Sequence, residues 1–177
     1  GMGKTRLAEK FVELRQEAVE SDTWFVPLAD VSSHISDFVA EKLGVQPERL
    51  DHMLQNLIEV MIVLDNAEQA LEEVREFVDG LLDRVPHVRV LVTSRHPLDL
   101  PGEAILRLGP LDSTAAREVL VGRAERYGVD LTDGGALDLL LKGLGGIPLA
   151  LELAASRLLT YDVATLTKDA ETNLGVL

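Results

Sequence analysis

The sequence contains no cysteine, few aromatic residues and little positive charge. The absence of cysteine excludes a disulfide framework, a thiolate metal site and a cysteine nucleophile. Its 17 Lys and Arg residues are outnumbered by 30 Asp and Glu residues, which leaves a net charge of −13. Because so acidic a chain repels phosphate backbones, we expect no direct contact with DNA or RNA.

Long hydrophobic runs and metal-ligand spacings are also missing. No apolar stretch approaches the roughly 18 residues of a membrane helix, and no segment resembles a signal peptide. The histidines are scattered without the spacing of a metal site. They are His34, His52, His87 and His96. These absences predict a protein of the reducing cytoplasm that makes no contact with a membrane.

The first part of the chain alternates short hydrophobic strands with helices. Residues 60–64 are a continuous apolar run too short for a helix, which predicts a strand covered on both faces, and residues 88–93 are predicted to form a second buried strand. Weaker strands are predicted at residues 23–28, where Pro27 indicates an edge or an end, and at residues 104–108. Helices are predicted at residues 4–20, 35–43, 47–59 and 67–82. This alternation predicts a parallel, doubly wound α/β sheet.

After Gly109 and Pro110 the pattern changes to helices alone. They are predicted at residues 113–127, 131–144 and 148–159, separated by glycine and by a proline that starts the last of them. We therefore divide the chain into an α/β domain, residues 1–109, and a small helical subdomain, residues 110–177.

The first five residues look like the second half of a phosphate-binding loop. The full loop reads G-x-x-x-x-G-K-[ST], in which backbone amides and the lysine hold phosphates and the hydroxyl binds Mg²⁺. Gly3, Lys4 and Thr5 match its last three positions, at the start of a predicted helix whose first turn attracts anions. The opening glycine and the preceding strand are missing, so we expect an N-terminally shortened loop. The alternative is a flexible tail.

Asp65 ends the most hydrophobic strand, at the sheet edge where open α/β proteins bind ligands. A carboxylate placed there after a G-K-T helix is what a Mg²⁺ site requires, although Asp65 could instead cap the next helix. Many ATPases place a second carboxylate next, to activate water, but here Asn66 follows. Glu68 is the remaining candidate for that task, and we expect slow hydrolysis or none.

Two further residues are candidates for nucleotide contact. Arg95 follows the strand at residues 88–93 and can reach a γ-phosphate, or can pair with a surface carboxylate. Thr93 and Ser94, beside it, can report that phosphate by hydrogen bonding. Pro148 starts a helix after two glycines, and the residues around it do not by themselves assign it a ligand.

Taken together, four segments closely resemble the signal-transducing P-loop ATPases of the NB-ARC type, and among these the bacterial transcriptional-regulator branch. The segments are residues 1–8, 63–68, 92–95 and 146–151. Each motif is weak alone, but their order and spacing extend over nearly the whole chain. The resemblance implies a P-loop NTPase-like sheet, here lacking the strand before the loop, followed by a helical subdomain.

The resemblance also implies ligands and roles. ATP or ADP would bind with Mg²⁺, which Thr5 and Asp65 would hold, while Arg95 would act as a sensor and Pro148 would pack on adenine. The implied nucleotide-binding residues are Gly1, Gly3, Lys4, Thr5, Arg6, Arg95 and Pro148. The candidate catalytic residues are Asp65, Glu68 and Arg95.

Proteins of this type switch between an ADP-bound resting form and an ATP-bound form that often oligomerises. The resemblance therefore implies effector and sensor domains in a longer parent protein and a nucleotide-dependent homo-oligomer. Two alternatives stay open, an active Mg²⁺-dependent ATPase and an interaction scaffold that has lost nucleotide. One departure from the family's pattern bears on both alternatives. The strand that precedes the phosphate loop is missing, and in the family's sheet it would lie between the strands at residues 88–93 and 104–108.

Overall fold

The computed structural model describes residues 1–18, 22–31, 33–131 and 134–173. They form two compact units, each with its own hydrophobic core. The sheet unit is Lys4–Leu106, and the helical unit combines Gly1–Gly3 with Arg107–Leu177. The sheet unit thus ends at Leu106, whereas the sequence pattern placed the end of the α/β domain at residue 109.

The sheet unit is built on three parallel strands, and the predicted parallel pairing is confirmed. They are β1 (Asp22–Pro27), β2 (Val60–Asp65) and β3 (Val88–Val92), in the order β1-β2-β3. Every residue of the central strand β2 is buried. β1 is an edge strand that ends at Pro27, as the proline predicted, because proline lacks an amide for the ladder.

Helices cover both faces of this sheet. They are α1 (Lys4–Ala18), α2 (Ile35–Lys42), α3 (Leu50–Gln55) and α4 (Leu71–Arg84). α1 packs Ala8 and Val12 against Met61 and Val63 of β2. The side chains of Val60, Ile62 and Leu64 belong to the core that α2, α3 and α4 share on the other face. This alternation explains why the strand is apolar throughout.

Several predicted helix bounds change in the structure. α1 ends at Ala18, and residues 19–20 of the predicted helix lie outside the described residues. The helix predicted at residues 47–59 is a 3₁₀ turn, Pro47–Arg49, followed by the short α3. The helix predicted at residues 67–82 likewise begins with a 3₁₀ turn, Ala67–Gln69, before α4.

The strand predicted at residues 104–108 is wrong. These residues are described and form no strand, and the side chains of Ile105 and Leu106 are 55% and 79% exposed. An apolar segment becomes a strand only when a neighbour completes its hydrogen-bond ladder, and within the described residues β3 pairs with β2 alone. As an edge strand, β3 is only partly covered, with Val88 its one buried residue.

The helical unit contains the three helices predicted for it and a fourth. They are α5 (Ser113–Arg126), α6 (Gly135–Leu144), α7 (Pro148–Arg157) and α8 (Val163–Asn173). α6 begins later than predicted, and residues 132–133 lie outside the described residues. α8 was not predicted, because Leu166 and Ala170 are the only apolar residues that it buries in the core. Every helix in the described part of the chain is too short or too polar to cross a bilayer.

Candidate functional site at the carboxyl edge of the sheet

The carboxyl ends of β2 and β3 lie side by side. The amide of Thr93 donates to the carbonyl of Leu64 over 2.9 Å, which continues the ladder one residue past β3. On the other side of β2, the amide of Leu28 donates to the carbonyl of Asp65 over 2.8 Å. The backbone around Asp65 is therefore fixed from both neighbouring strands.

The Asp65 carboxylate is the centre of a hydrogen-bonded group. It is only 4% exposed. Its Oδ2 accepts from the Thr5 hydroxyl over 2.9 Å, and its Oδ1 accepts from the Thr93 hydroxyl over 2.5 Å. The capping alternative is wrong, because Asn66 occupies the N-cap position of the next turn and no side chain caps it. Asp65 thus holds two hydroxyl groups from distant parts of the sequence.

Thr93 also secures the turn after β2. Its hydroxyl accepts from the Asn66 amide over 3.0 Å, and its carbonyl accepts from the Ala67 amide over 3.0 Å. Asn66 itself has a φ of 65°, in the left-handed region that asparagine tolerates better than most residues. The sequence marked Asn66 as the residue that stands where many ATPases have a second carboxylate. The structure shows that Asn66 also adopts the left-handed backbone conformation of this turn.

Glu68 and Arg95 form an ion pair beside this group. The Arg95 Nε lies 3.1 Å from Glu68 Oε1. The sequence left open a pairing of Arg95 with a surface carboxylate, and the structure shows a pairing with a carboxylate that is mostly buried. The second oxygen of Glu68, Oε2, is buried and has no hydrogen-bond partner in the part of the chain that the structure describes. The hydroxyl of Ser94, which lies between Thr93 and Arg95 in the sequence, accepts from the His96 amide over 3.2 Å.

The start of α1 contributes the phosphate-binding candidates of the sheet unit. Lys4 and Thr5 are its first two residues, and its first turn contains no acidic residue. Lys4 forms no ion pair with any residue that the structure describes, whereas Lys10 further along α1 pairs with Glu13 over 2.9 Å. Arg6 is exposed on the surface of α1. Among the described residues, Lys4 is thus a cation at this end of the helix that is available for an anion.

Gly1, Gly3 and Pro148 are placed together in the helical unit. The Gly1 carbonyl accepts from the Leu149 amide over 3.3 Å. Gly3 has a φ of 82°, and a Cβ at this position would lie 3.8 Å from Pro148 Cγ. Because a positive φ is adopted readily by glycine and rarely by other residues, the backbone favours a glycine at position 3, directly before Lys4. The predicted residues thus fall into two groups, one in each unit.

The residues of the sheet unit fit Mg²⁺ and phosphate. Carboxylate and hydroxyl oxygens are ligands that Mg²⁺ takes, and it commonly uses one or two carboxylates together with phosphate and water. Within the described ranges no Lys or Arg forms an ion pair with the buried Asp65 side chain, whose two oxygens accept from the hydroxyls of Thr5 and Thr93. The same ranges contain no cluster of three or more His, Cys, Asp or Glu that could hold a metal ion without ligands from phosphate and water.

Comparison with known proteins places similar sequences in mycobacteria. No family model matches the chain. Uncharacterized protein Rv0894 of Mycobacterium tuberculosis and uncharacterized protein Mb0918 of Mycobacterium bovis are each 33% identical over 170 residues. Those alignments cover 89% of this chain and 43% of each relative. A Mycobacterium tuberculosis protein provisionally named an HTH-type transcriptional regulator is 32% identical over 171 residues, 89% of this chain and 19% of its own length.

The chain is therefore a mixed α/β protein that is similar to parts of longer proteins, one of them named as a regulator. It spans less than half the length of these relatives. Their names say nothing of nucleotide or magnesium.

Proposed function

We propose that this chain is an ATP- or ADP-binding regulatory switch domain, with a P-loop fold of the NB-ARC type, in a longer signalling or transcription-control protein. One observation carries the proposal. The hydroxyl of Thr5, at the start of α1, donates to the buried carboxylate of Asp65 at the end of β2. This joins the end of the G-K-T segment to the acidic end of the central strand, as a site for Mg²⁺ and phosphate needs.

The charges of these residues support the same assignment. Lys4 is a cation without an ion pair among the described residues, and it adjoins a helix start whose free amides favour anions. No Lys or Arg of the described residues forms an ion pair with the Asp65 carboxyl group. A magnesium nucleotide would supply the phosphate for the first and the divalent charge for the second. Thr5 and Asp65 would hold the Mg²⁺, and Lys4 would neutralise phosphate oxygens.

A regulatory role is favoured over rapid hydrolysis. Position 66 is an asparagine, which does not accept a proton from water at neutral pH. Glu68, the other candidate base, has one oxygen engaged by Arg95 and the other buried. We expect turnover below about 1 s⁻¹, the low end of ordinary enzyme rates. The regulator name of one relative agrees with a switch.

The test is a titration of the 177-residue chain with ADP, with Mg²⁺ present and with Mg²⁺ chelated. The variant is Asp65→Asn, and the matched control is Asp79→Asn on the exposed surface of α4. We expect Mg²⁺ to strengthen ADP binding in the parent and in the control, and to have no effect in Asp65→Asn. Equal dependence on Mg²⁺ in all three, with circular dichroism showing folded samples, would overturn the assignment of Asp65.

A folded parent chain that binds no nucleotide would instead favour the interaction scaffold.

A further inference from the structure

The Glu68 and Arg95 side chains are unequally buried. The Arg95 side chain is 75% exposed, whereas the Glu68 side chain is only 14% exposed. Glu68 lies in the 3₁₀ turn that directly follows β2 and Asn66. The backbone that positions Asp65 therefore also positions the Glu68 carboxylate. Arg95 lies after the end of β3, and its long side chain is largely solvated. One partner of the pair is therefore held in place while the other is able to move.

The contact is of a kind that another anion can replace. The Arg95 Nε atom lies 3.1 Å from Glu68 Oε1, and ion pairs with an exposed partner contribute little free energy. Among the described residues the buried Oε2 atom of Glu68 finds no hydrogen-bond partner, which leaves this carboxylate only partly satisfied. A phosphate offers Arg95 a bidentate, doubly charged partner, which is the stronger interaction.

We propose that Glu68 is a positioning residue that competes with the terminal phosphate of a nucleotide for Arg95. The inference rests on the proposed function, because it concerns the same phosphate site. With no terminal phosphate, Arg95 stays on Glu68. With one present, Arg95 exchanges the carboxylate for the phosphate, and the lost ion pair reduces the affinity for triphosphate but not for diphosphate. Glu68 thereby sets the ratio of ATP to ADP at which the domain switches.

The variant that tests this is Glu68→Gln, which removes the charge and keeps the shape of the side chain. The dissociation constants for Mg-ATP and Mg-ADP are measured for the parent chain, Glu68→Gln, Arg95→Gln and the control Glu76→Gln. Glu76 is an exposed acidic residue of α4 for which the structure gives no ion pair with a described residue. We expect Glu68→Gln to raise the preference for ATP over ADP by about two- to fivefold, the range of a partly exposed ion pair. Arg95→Gln should abolish the preference, and Glu76→Gln should leave it unchanged.

A second readout is the NMR spectrum of Arg95, which is recorded first without nucleotide and then with it. The NMR signal of the Arg95 Nε–H group, assigned by its loss in Arg95→Gln, should shift in Glu68→Gln and not in Glu76→Gln. Addition of Mg-ATP to the parent should move it away from its starting position, and Mg-ADP should not.

The outcomes separate the two proposals. If the parent chain binds neither nucleotide, the proposed function fails and the role of Glu68 fails with it. If the parent binds both nucleotides and Glu68→Gln leaves their affinity ratio unchanged, only the role of Glu68 is overturned. An Arg95 signal that responds equally to ATP and ADP would overturn it as well.

Discussion

The Thr93 hydroxyl lies 2.5 Å from Oδ1 of Asp65 and joins the ends of two neighbouring strands. The same hydroxyl accepts from the Asn66 amide over 3.0 Å. Thr93 therefore orients the carboxylate of Asp65 and holds the turn that follows it. Both Asp65 and Thr93 are buried, so these bonds form where water does not replace them readily.

Removing this hydroxyl should destabilise the sheet unit. Thr93→Val keeps the shape of the side chain but leaves the Asp65 oxygen and the Asn66 amide without their partner. We expect a loss of about 1–3 kcal/mol in the free energy of unfolding, measured by urea denaturation. Thr93→Ser retains the hydroxyl and should lose less. Equal losses in the two variants would show that the hydroxyl contributes nothing.

Asn66 should tolerate glycine better than a branched residue. Its φ of 65° is accessible to glycine without strain, whereas a branched side chain in the left-handed region costs roughly 1–2 kcal/mol. Asn66→Gly should thus unfold at nearly the same urea concentration as the parent, and Asn66→Val should unfold at a lower one. The opposite order would contradict the backbone role assigned to Asn66.

Two adjacent glycines of the helical unit should differ in their response to alanine. Both have positive φ, 60° at Gly145 and 67° at Gly146. A Cβ on Gly146 would lie 2.2 Å from the carbonyl oxygen of Leu111, whereas one on Gly145 would meet nothing within 4 Å. Gly145→Ala therefore reports backbone strain alone, and Gly146→Ala adds a collision with the backbone.

We expect Gly146→Ala to be less stable than Gly145→Ala by about 1–3 kcal/mol, the usual cost of overpacking. The Gly146 carbonyl also accepts from the Leu111 amide over 2.8 Å, so movement to relieve the collision would break this hydrogen bond. Thermal unfolding of the two variants side by side measures the difference. Indistinguishable melting curves would be evidence against the close approach at Gly146.

Acid should weaken the start of α8. The Asp162 Oδ1 atom accepts from the Thr165 amide over 2.7 Å, and this backbone hydrogen bond lowers the pKa of the Asp162 carboxyl below its ordinary value of 3.8. Because the folded-state pKa is the lower one, the stabilisation is complete above the unfolded-state pKa and is lost as the pH falls through the folded-state value.

Asp162→Asn tests this dependence, because the amide retains an oxygen acceptor and does not titrate in this range. On acidification from about pH 5, the parent should lose more stability than Asp162→Asn, and the gap between them should close below the folded-state pKa of Asp162. Parallel stability curves would contradict the assigned role of the cap.

The sequence predicted those parts of the fold that depend on local pattern. The apolar run at residues 60–64 predicted a strand covered on both faces, and Pro27 predicted an edge or an end of the strand before it. Residues 104–108 have a similar apolar character but form no strand, because pairing depends on a neighbour that the segment itself does not specify. α8 escaped prediction because so little of it is buried in the core.

The same distinction applies to the candidate site. Asp65 and Thr5 were predicted from their motifs, and the structure shows the bond between them. The two tasks of Thr93 and the pairing of Glu68 with Arg95 were not predicted as contacts. Each joins residues that are 27 or 28 positions apart and meet only because β2 and β3 are neighbours in the sheet.

The most direct test of the account is calorimetric titration of the 177-residue chain with Mg-ADP and Mg-ATP, alongside Lys4→Ala and Lys10→Ala. Lys10 provides the matched control, since it lies on the exposed surface of the same helix and pairs with Glu13. We expect saturable binding in the parent and in Lys10→Ala, and its loss in Lys4→Ala. No binding to a folded parent chain, or equal binding in Lys4→Ala, would contradict it.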